Sequence, residues 1–408
     1  MRTLTGYILL CCLPFIGVAQ ELCGTDFEHE TRMQTDPAYR NHITDLQQQV
    51  RTIIENKAEH RSSRSVYVIP VVVHVIHIGE GVGVGTNISD SQIMAAIDGI
   101  NDRWRNVPGL GADMEIEFCL ASVDPDGNPT TGINRVDGSG VPNYFTIGIN
   151  NGGSSTCGGA NPFAIKDLSR WPVTQYYNIW VVNKICEGSA GYASYPNGGN
   201  YDGAVIRYNY MVSSAATPAH ELGHGFFLYH TFTGDGGNLS CPDDNDCLGE
   251  GDYVCDTQPH LQGDCGAINQ CAGNGIWDNS RFNYLSYCGT RDRFSEGQKE
   301  RVLATLQVWP RSELLLNNIC VASGINESSS ASFSIFPNPA SVELRIQNAE
   351  LKIKEIEIYS SLTEKIFSQI SNFTPKISID VSQLTPGIYF IIVTDHVGNK
   401  VTRKVVKM

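Results

Sequence analysis

The hydrophobic pattern changes character several times along the chain. After Arg2, an apolar run extends from Leu4 to Val18 and ends in small residues, Gly17 and Ala19. That is the layout of a signal peptide over residues 1–19, cut after Ala19; a membrane anchor is the competing reading, but the run is short for a span. Residues 20–64 are polar, with one helix expected from Thr44 to His60, and end in Arg61-Ser-Ser-Arg64 with two basic cleavage points. The strand Tyr67-Val-Ile-Pro-Val-Val-Val-His-Val-Ile-His77 begins just after, so 20–64 reads as a removable pro-segment or as a plain extension.

Residues 65–322 carry the mixture expected of an α/β domain. Ser89-x-x-Gln92 reads as a capping box, and Ile93, Ile97, Ile100 and Trp104 follow at helical spacing. Glu115-Ile-Glu-Phe-Cys-Leu alternates like a half-buried strand, and Asn178–Asn183 and Gly203–Tyr208 are further strands. A second box, Ser295-x-x-Gln298, opens a helix to about Val308, while 120–165 is rich in Gly, Pro, Asn and Thr and reads as long surface loops. After a Ser/Asn-rich linker, 323–332, the tail 333–408 alternates apolar and polar residues between turns at Pro337-Asn-Pro339, Thr385-Pro-Gly387 and Gly398-Asn399. That predicts a small all-β sandwich.

Charge narrows the functions open to it. The chain has 408 residues and a net charge of −14, and the tail is slightly basic, so the rest is more acidic still. A nucleic-acid partner would call for a basic face. No segment after the signal is apolar enough to span a bilayer: the longest, Val66 to Ile78, is broken by Pro70, His74 and His77. Thirteen cysteines suit an exported protein.

The most informative segment is Thr217-Pro-Ala-His220-Glu221-Leu-Gly-His224-Gly-Phe-Phe-Leu-Tyr-His230. Thr217 can cap a helix with Pro218 at its first position. His220 and His224 then share one face a turn apart, the spacing two ligands of one zinc ion need. Glu221 can reach a water on the metal without binding it, and His230 can return as a third ligand if the chain turns sharply. Three imidazoles leave one position for water, whose pKa zinc lowers to about 7, with Glu221 as general base and then acid. Chance produces this pattern in about three of ten thousand such chains, so a pair of incidental surface histidines explains it poorly. A structural zinc would favour four protein ligands, Cys among them.

The pattern resembles the metzincin metallopeptidases, and Leu-Tyr-His230-Thr-Phe is similar to the pappalysin family, in particular its bacterial ulilysin-like branch. Gly191-Tyr-Ala-Ser-Tyr-Pro196 looks like that branch's substrate-edge strand. Asp252-Tyr-Val-Cys-Asp256-Thr257 looks like its calcium-associated segment, and Asn283-Tyr-Leu-Ser-Tyr287 with Phe294-Ser-x-Gly-Gln298 like its Met-turn and last helix. The resemblance implies a metzincin-type α+β catalytic domain with a twisted mixed sheet and an active-site helix. It also implies that Tyr287 lies near the zinc and assists the oxyanion. Two positions depart from the family: Phe227 stands where the family turns on Gly, and Leu285 where it has Met. Phe336-Pro-Asn-Pro-Ala340, Pro386-Gly-Ile-Tyr389 and the basic end resemble the C-terminal sorting domain of type IX secretion cargo. That implies the type IX machinery as partner and a place outside the cell or on its surface; an adhesive or carbohydrate-binding β-module fits the alternation too.

Six carboxylates and no basic residue lie between Asp243 and Asp256. A solvated acidic loop or a calcium site would both account for them, and the resemblance favours calcium near Asp256 and Thr257. Without the signal peptide eleven cysteines remain, ten of them in 119–320, enough for five bridges of unknown pairing. A cysteine-based second zinc site is the rival. The odd one, Cys23 in Leu22-Cys23-Gly24-Thr25, could fill the zinc's open position in a latent form, with Gly24 permitting close approach. This is similar to the cysteine-switch latency of some metzincins; pairing with a mature cysteine is the alternative. The expected function is a secreted zinc endopeptidase acting on extracellular proteins or peptides and made as a zymogen. The rivals are an adhesive protein on a failed metallopeptidase site and a metal-dependent amidase or deacylase.

Overall fold

The computed structural model describes residues 23–56, 66–151, 157–288, 290–316, 319–320 and, in the tail, 334–336, 340–347, 353–360, 365–370, 376–385, 387–395 and 400–407. The signal peptide, the cleavage points Arg61 and Arg64 and the linker 323–332 lie outside the described residues.

Two helices open the described chain, α1 (Thr25–Thr35) and α2 (Pro37–Glu55). Asp36 caps α2 by accepting from the N–H groups of Ala38 and Tyr39, and Pro37 suits the first helical position. The helix therefore starts well before Thr44 and ends at Glu55. Its buried stripe, Tyr39, Ile43, Leu46 and Val50, packs on Tyr195, Phe227, Tyr229, Ala304 and Val308. No apolar stripe announces α1, whose buried residues are Thr25 and Glu28.

The central sheet holds β1 (Tyr67–His77), β2 (Ile116–Leu120), β3 (Ile133–Asp137), β4 (Tyr177–Val182), β5 (Gly191–Ala193) and β6 (Ala204–Arg207). The order is β2-β1-β4-β6-β5, with β3 continuing the β2 side of β1. All pairs are parallel except β5 with β6. A central parallel strand is covered on both faces, which is why β1 is a run of Val and Ile rather than an alternation. Pro70 sits one residue before pairing with β4 begins at Val71, where a missing N–H disrupts least.

One face carries α3 (Asp90–Trp104), α5 (Thr217–Gly225) and α6 (Glu296–Thr305) over a core including Val71, Val73, Ile93, Trp104, Phe118 and Leu222. Ser89 caps α3 through the Gln92 N–H, but the Gln92 amide bonds the Met211 carbonyl instead of closing a box; the Ser295–Gln298 box is complete. The other face is covered by Tyr144, Ile149 and Ala160 and by α4 (Pro162–Lys166). The loops expected at 120–165 therefore contain a strand, β3, and a second core of Tyr144, Ile149 and Ile165 against Trp180, Val182 and Val205.

The tail holds β7 (Ser334–Phe336), β8 (Glu343–Gln347), β9 (Ile353–Ser360), β10 (Lys365–Ile370), β11 (Lys376–Asp380), β12 (Gly387–Asp395) and β13 (Lys400–Lys407). They form antiparallel sheets of four (β10-β9-β12-β13) and three (β11-β8-β7) strands. The inward positions Leu344, Ile346, Ile356, Ile358, Ile391 and Val393 form its core, as alternation predicts.

Five disulfides join Cys119–Cys320, Cys157–Cys186, Cys241–Cys271, Cys247–Cys255 and Cys265–Cys288, and Cys23 is free. Ten of the eleven cysteines beyond the signal peptide are thus paired, and these ten form no cysteine zinc site.

Candidate metal centre

Every residue of α5 is buried, so its two histidines are fixed by packing. The helix begins one residue earlier than a Thr217 cap would require: Ala216 precedes it, Thr217 is its first residue, and no side chain caps it. His220 donates from Nδ1 to the Tyr284 carbonyl and His224 from Nδ1 to the Leu228 carbonyl, both at 2.7 Å. Those bonds fix the tautomers and turn both Nε2 lone pairs inward. Burial holds His220 well below its ordinary pKa and His224 down to about 3, so both rings are neutral.

Two residues past the end of α5 the chain turns at Phe227, whose φ of 72° is left-handed. Leu228 N–H then returns to the Gly223 carbonyl at 2.9 Å, and the reversal brings His230 back to the helix. A Cβ in this conformation costs about 1–2 kcal/mol. The Phe227 ring offsets that by being wholly buried, with the Arg301 guanidinium 4.5 Å above it, while Arg301 Nε donates to the Phe227 carbonyl at 2.7 Å. The strain expected at this departure from Gly is present, and the third histidine arrives all the same.

The Nε2 atoms of His220, His224 and His230 lie 3.1–3.2 Å apart. With at least two of the Nδ1–H groups committed outward, acceptor lone pairs face one another and cannot bond among themselves. A cation resolves this. Four-coordinate zinc with nitrogen at 2.0–2.1 Å requires N···N separations of about 3.3 Å, so the donor set fits it. Cys23 Sγ completes a group whose ligand atoms all lie within 4.8 Å, the one such group among the described residues.

Glu221 lies beside this cluster, buried, with its carboxyl pushed up to about 8 by desolvation. Its Oε2 is 3.3 Å from Cys23 Sγ. A Cβ on Gly191 would stand 2.7 Å from the same carboxylate, so only glycine permits β5 to pass this close. Tyr287 accepts at its hydroxyl from the Cys23 N–H (3.2 Å), with its ring 4.9 Å from that of His230. Its turn is anchored by Asn283, which exchanges two side-chain bonds with Gln298 and accepts from the Leu285 N–H. Leu285, in the place of the family's Met, is fully buried.

The N-terminal segment enters along β5: Gly24 N–H donates to the Gly191 carbonyl (3.0 Å), and Ala193 N–H to Thr25 Oγ1 (2.9 Å). A Cβ on Gly24 would meet Asn151 and Tyr192 at 3.1–3.2 Å, so the small residue matters here. Three contributors escape a reading of the sequence. Asp26 accepts from His230 Nδ1 at 2.8 Å; Arg301 supports Phe227; and buried Arg311 binds Asp202 while donating to the Gly225 carbonyl at the end of α5. Their partners lie from 74 to 204 residues away, beyond any local motif.

The calcium candidates separate. Asp256 accepts from Ser295 Oγ (2.6 Å) and the Gly297 N–H (2.8 Å), serving the start of α6. Thr257 instead donates to Asp252, whose buried carboxyl is pushed up to about 8 by desolvation, and Val254 O is also within 3.2 Å of the Thr257 hydroxyl.

Residues 163–307 match the family of pregnancy-associated plasma protein-A, and 334–408 match the secretion system C-terminal sorting domain. The chain has a pappalysin-type metallopeptidase domain and a type IX sorting domain. The solved structure of a promirolysin mutant from Tannerella forsythia is 26% identical, covering 72% of this chain and 97% of that one, with a TM-score of 0.52. It shares the metzincin mixed sheet and helices of the pappalysin-type domain. An extracellular metalloprotease of Sordaria macrospora is 29% identical over 158 residues, 34% of this chain and 51% of its own length. One from Neurospora crassa is 24% identical over 287 residues, 66% and 85% respectively. The chain spans about half the length of the first curated relatives it matches. The sorting domain places the protein outside the cell or on its outer surface. Among the described residues no helix is long and apolar enough to cross a membrane.

Proposed function

We propose that this protein is a zinc-dependent endopeptidase acting on extracellular proteins or peptides, made as a latent zymogen. In this reading residues 20–64 are the pro-segment, 65–322 the catalytic domain, and 333–408 the domain read by the type IX machinery. The observation that carries it is the convergence of three imidazole Nε2 atoms at 3.1–3.2 Å with a buried carboxylate beside them. His220, His224 and His230 hold zinc, which when bound supplies a Lewis acid and makes water a nucleophile at neutral pH. Glu221 takes a proton at its carboxylate and returns it to the leaving amine, and burial has raised its basicity toward that task. The Tyr287 hydroxyl donates a hydrogen bond to the oxygen of the attacked carbonyl. A non-catalytic adhesive role would give this buried acid nothing to do.

Latency follows from the position of Cys23, whose sulfur lies against Glu221 while its backbone occupies the Tyr287 hydroxyl. The segment thus covers the base and the oxyanion donor together. Calcium, in the same reading, is held near Asp256 and Thr257, with Asp252, which accepts from the Thr257 hydroxyl, as a further acidic group. The test is cleavage of a peptide library by the chain processed before Tyr67. Cleavage should stop with chelator and return with zinc, and Glu221→Gln should keep one zinc per chain while losing cleavage. A Glu221→Gln protein as active as its parent would refute the assignment. Cys23→Ala should give activity before processing; unchanged latency would remove the thiol from the account.

A further inference from the structure

The three imidazoles differ in where their outer nitrogen is held. His220 and His224 bond carbonyls of the catalytic domain, at Tyr284 and Leu228. Those partners stay when the N-terminal segment is removed. The acceptor at His230 Nδ1, among the described residues, is Asp26 Oδ2 at 2.8 Å, three residues after Cys23. Among the described residues, the catalytic domain gives the outer nitrogen of this ring stacking neighbours alone: Phe232 lies parallel at 4.7 Å and Tyr287 meets it edge-on at 4.9 Å. Stacking sets the ring plane. It supplies no proton acceptor and no charge.

We propose that Asp26 is a positioning residue for the metal centre: the N-terminal segment lends the third histidine the carboxylate partner that the catalytic domain lacks, so the latent chain holds zinc more tightly than the processed one. A carboxylate on the outer nitrogen of a ligating histidine fixes the tautomer and orientation and makes the inner nitrogen a better donor. The segment then acts as a loading device as well as a plug. It sets the weakest of the three ligands while the metal is acquired and leaves afterwards. Lodged in the same turn of chain, Cys23 and Asp26 divide the work, one facing the open side of the cluster and the other the back of His230.

This inference rests on the peptidase reading, and the test separates the two. Zinc affinity is measured by competition with a chromogenic chelator on full chains in a Glu221→Gln background, so that none processes itself. Asp26→Ala should bind zinc about 10–100-fold more weakly than its parent, with Asp26→Asn between them because it keeps an acceptor and loses the charge. The same chains loaded with Co2+ report Cys23: the thiolate-to-cobalt absorption band should persist in Asp26→Ala. Equal zinc affinity in Asp26→Ala and its parent would overturn the proposal. So would loss of the cobalt–thiolate band together with the affinity, since Asp26 would then merely dock the segment. If no chain takes up zinc at all, the peptidase reading itself fails and this inference goes with it.

Discussion

The peptidase domain is built differently on the two sides of Gly225. The described residues of 66–225 contain all six strands of the central sheet and three α-helices, sealed by cores on both sheet faces. Residues 226–320 contain one α-helix, α6, and a long irregular stretch before it. There the chain is held by Cys241–Cys271, Cys247–Cys255 and Cys265–Cys288, and by side chains such as Asp235 and Asn269 bonding nearby backbone. The metal centre straddles the divide. His220 and His224 belong to the part fixed by apolar burial; His230, Tyr287 and the proposed calcium ligands belong to the part where disulfides and hydrogen bonds add to a smaller share of the apolar cores. A cross-linked second half suits a protein that matures in an oxidising compartment.

The sharpest test of this division is Trp104→Ala. The ring is fully buried and meets Phe118, Phe226 and Phe294 at 5.0–5.6 Å, touching both halves. Loss of about 3–5 kcal/mol is expected in denaturant unfolding, with both halves melting together. A second half that kept its hydrogen-exchange protection would show it to be independent. Removing Cys265–Cys288 by the paired change to Ala should cost about 2–4 kcal/mol. Protease nicking should rise within 233–282 and leave the sheet intact; nicks in β1 or β4 would break the comparison.

Phe227→Gly sets two effects against each other at the boundary. Relief of the left-handed strain is worth about 1–2 kcal/mol, but a buried phenyl ring is worth about 3–5 kcal/mol, so a net loss near ~2 kcal/mol is expected by calorimetry. A more stable variant would mean that strain dominates the turn. The smallest effect belongs to Arg51→Ala, which removes the 2.6 Å bond from α2 to Asp246. Both groups are partly exposed, so the loss should be the smallest of the series and vanish in high salt.

How much of the molecule is legible in its sequence follows the same line. β1 can be read because a strand buried on both faces must be a Val/Ile run, and α5 because two ligands of one ion must be a turn apart. The tail can be read because each strand exposes alternate residues. By contrast α1 buries Thr25 and Glu28, which carry no periodic signal, and its first turn is placed by bonds to distant residues, Ala193 and His230. The core residues Tyr144 and Ile149 sit in a Gly- and Asn-rich stretch whose composition points to solvent, and only the bare back face of the sheet explains them. Cysteine parity yields the number of bridges and the free thiol, yet pairing depends on three-dimensional proximity. Adjacency in sequence groups Asp256 with Thr257, but their side chains bond different partners, Ser295 and Gly297 for one and Asp252 for the other.

Cys119–Cys320 ties β2, beside the central strand, to the last described residue before the linker. Tension applied to the tail during transport reaches Cys320 first and passes through sulfur into the sheet. The loop so closed encloses α5, α6 and all three histidines, which are spared the load. A handle at one end of the polypeptide can therefore be grasped, or cut away, without unravelling the machinery it carries.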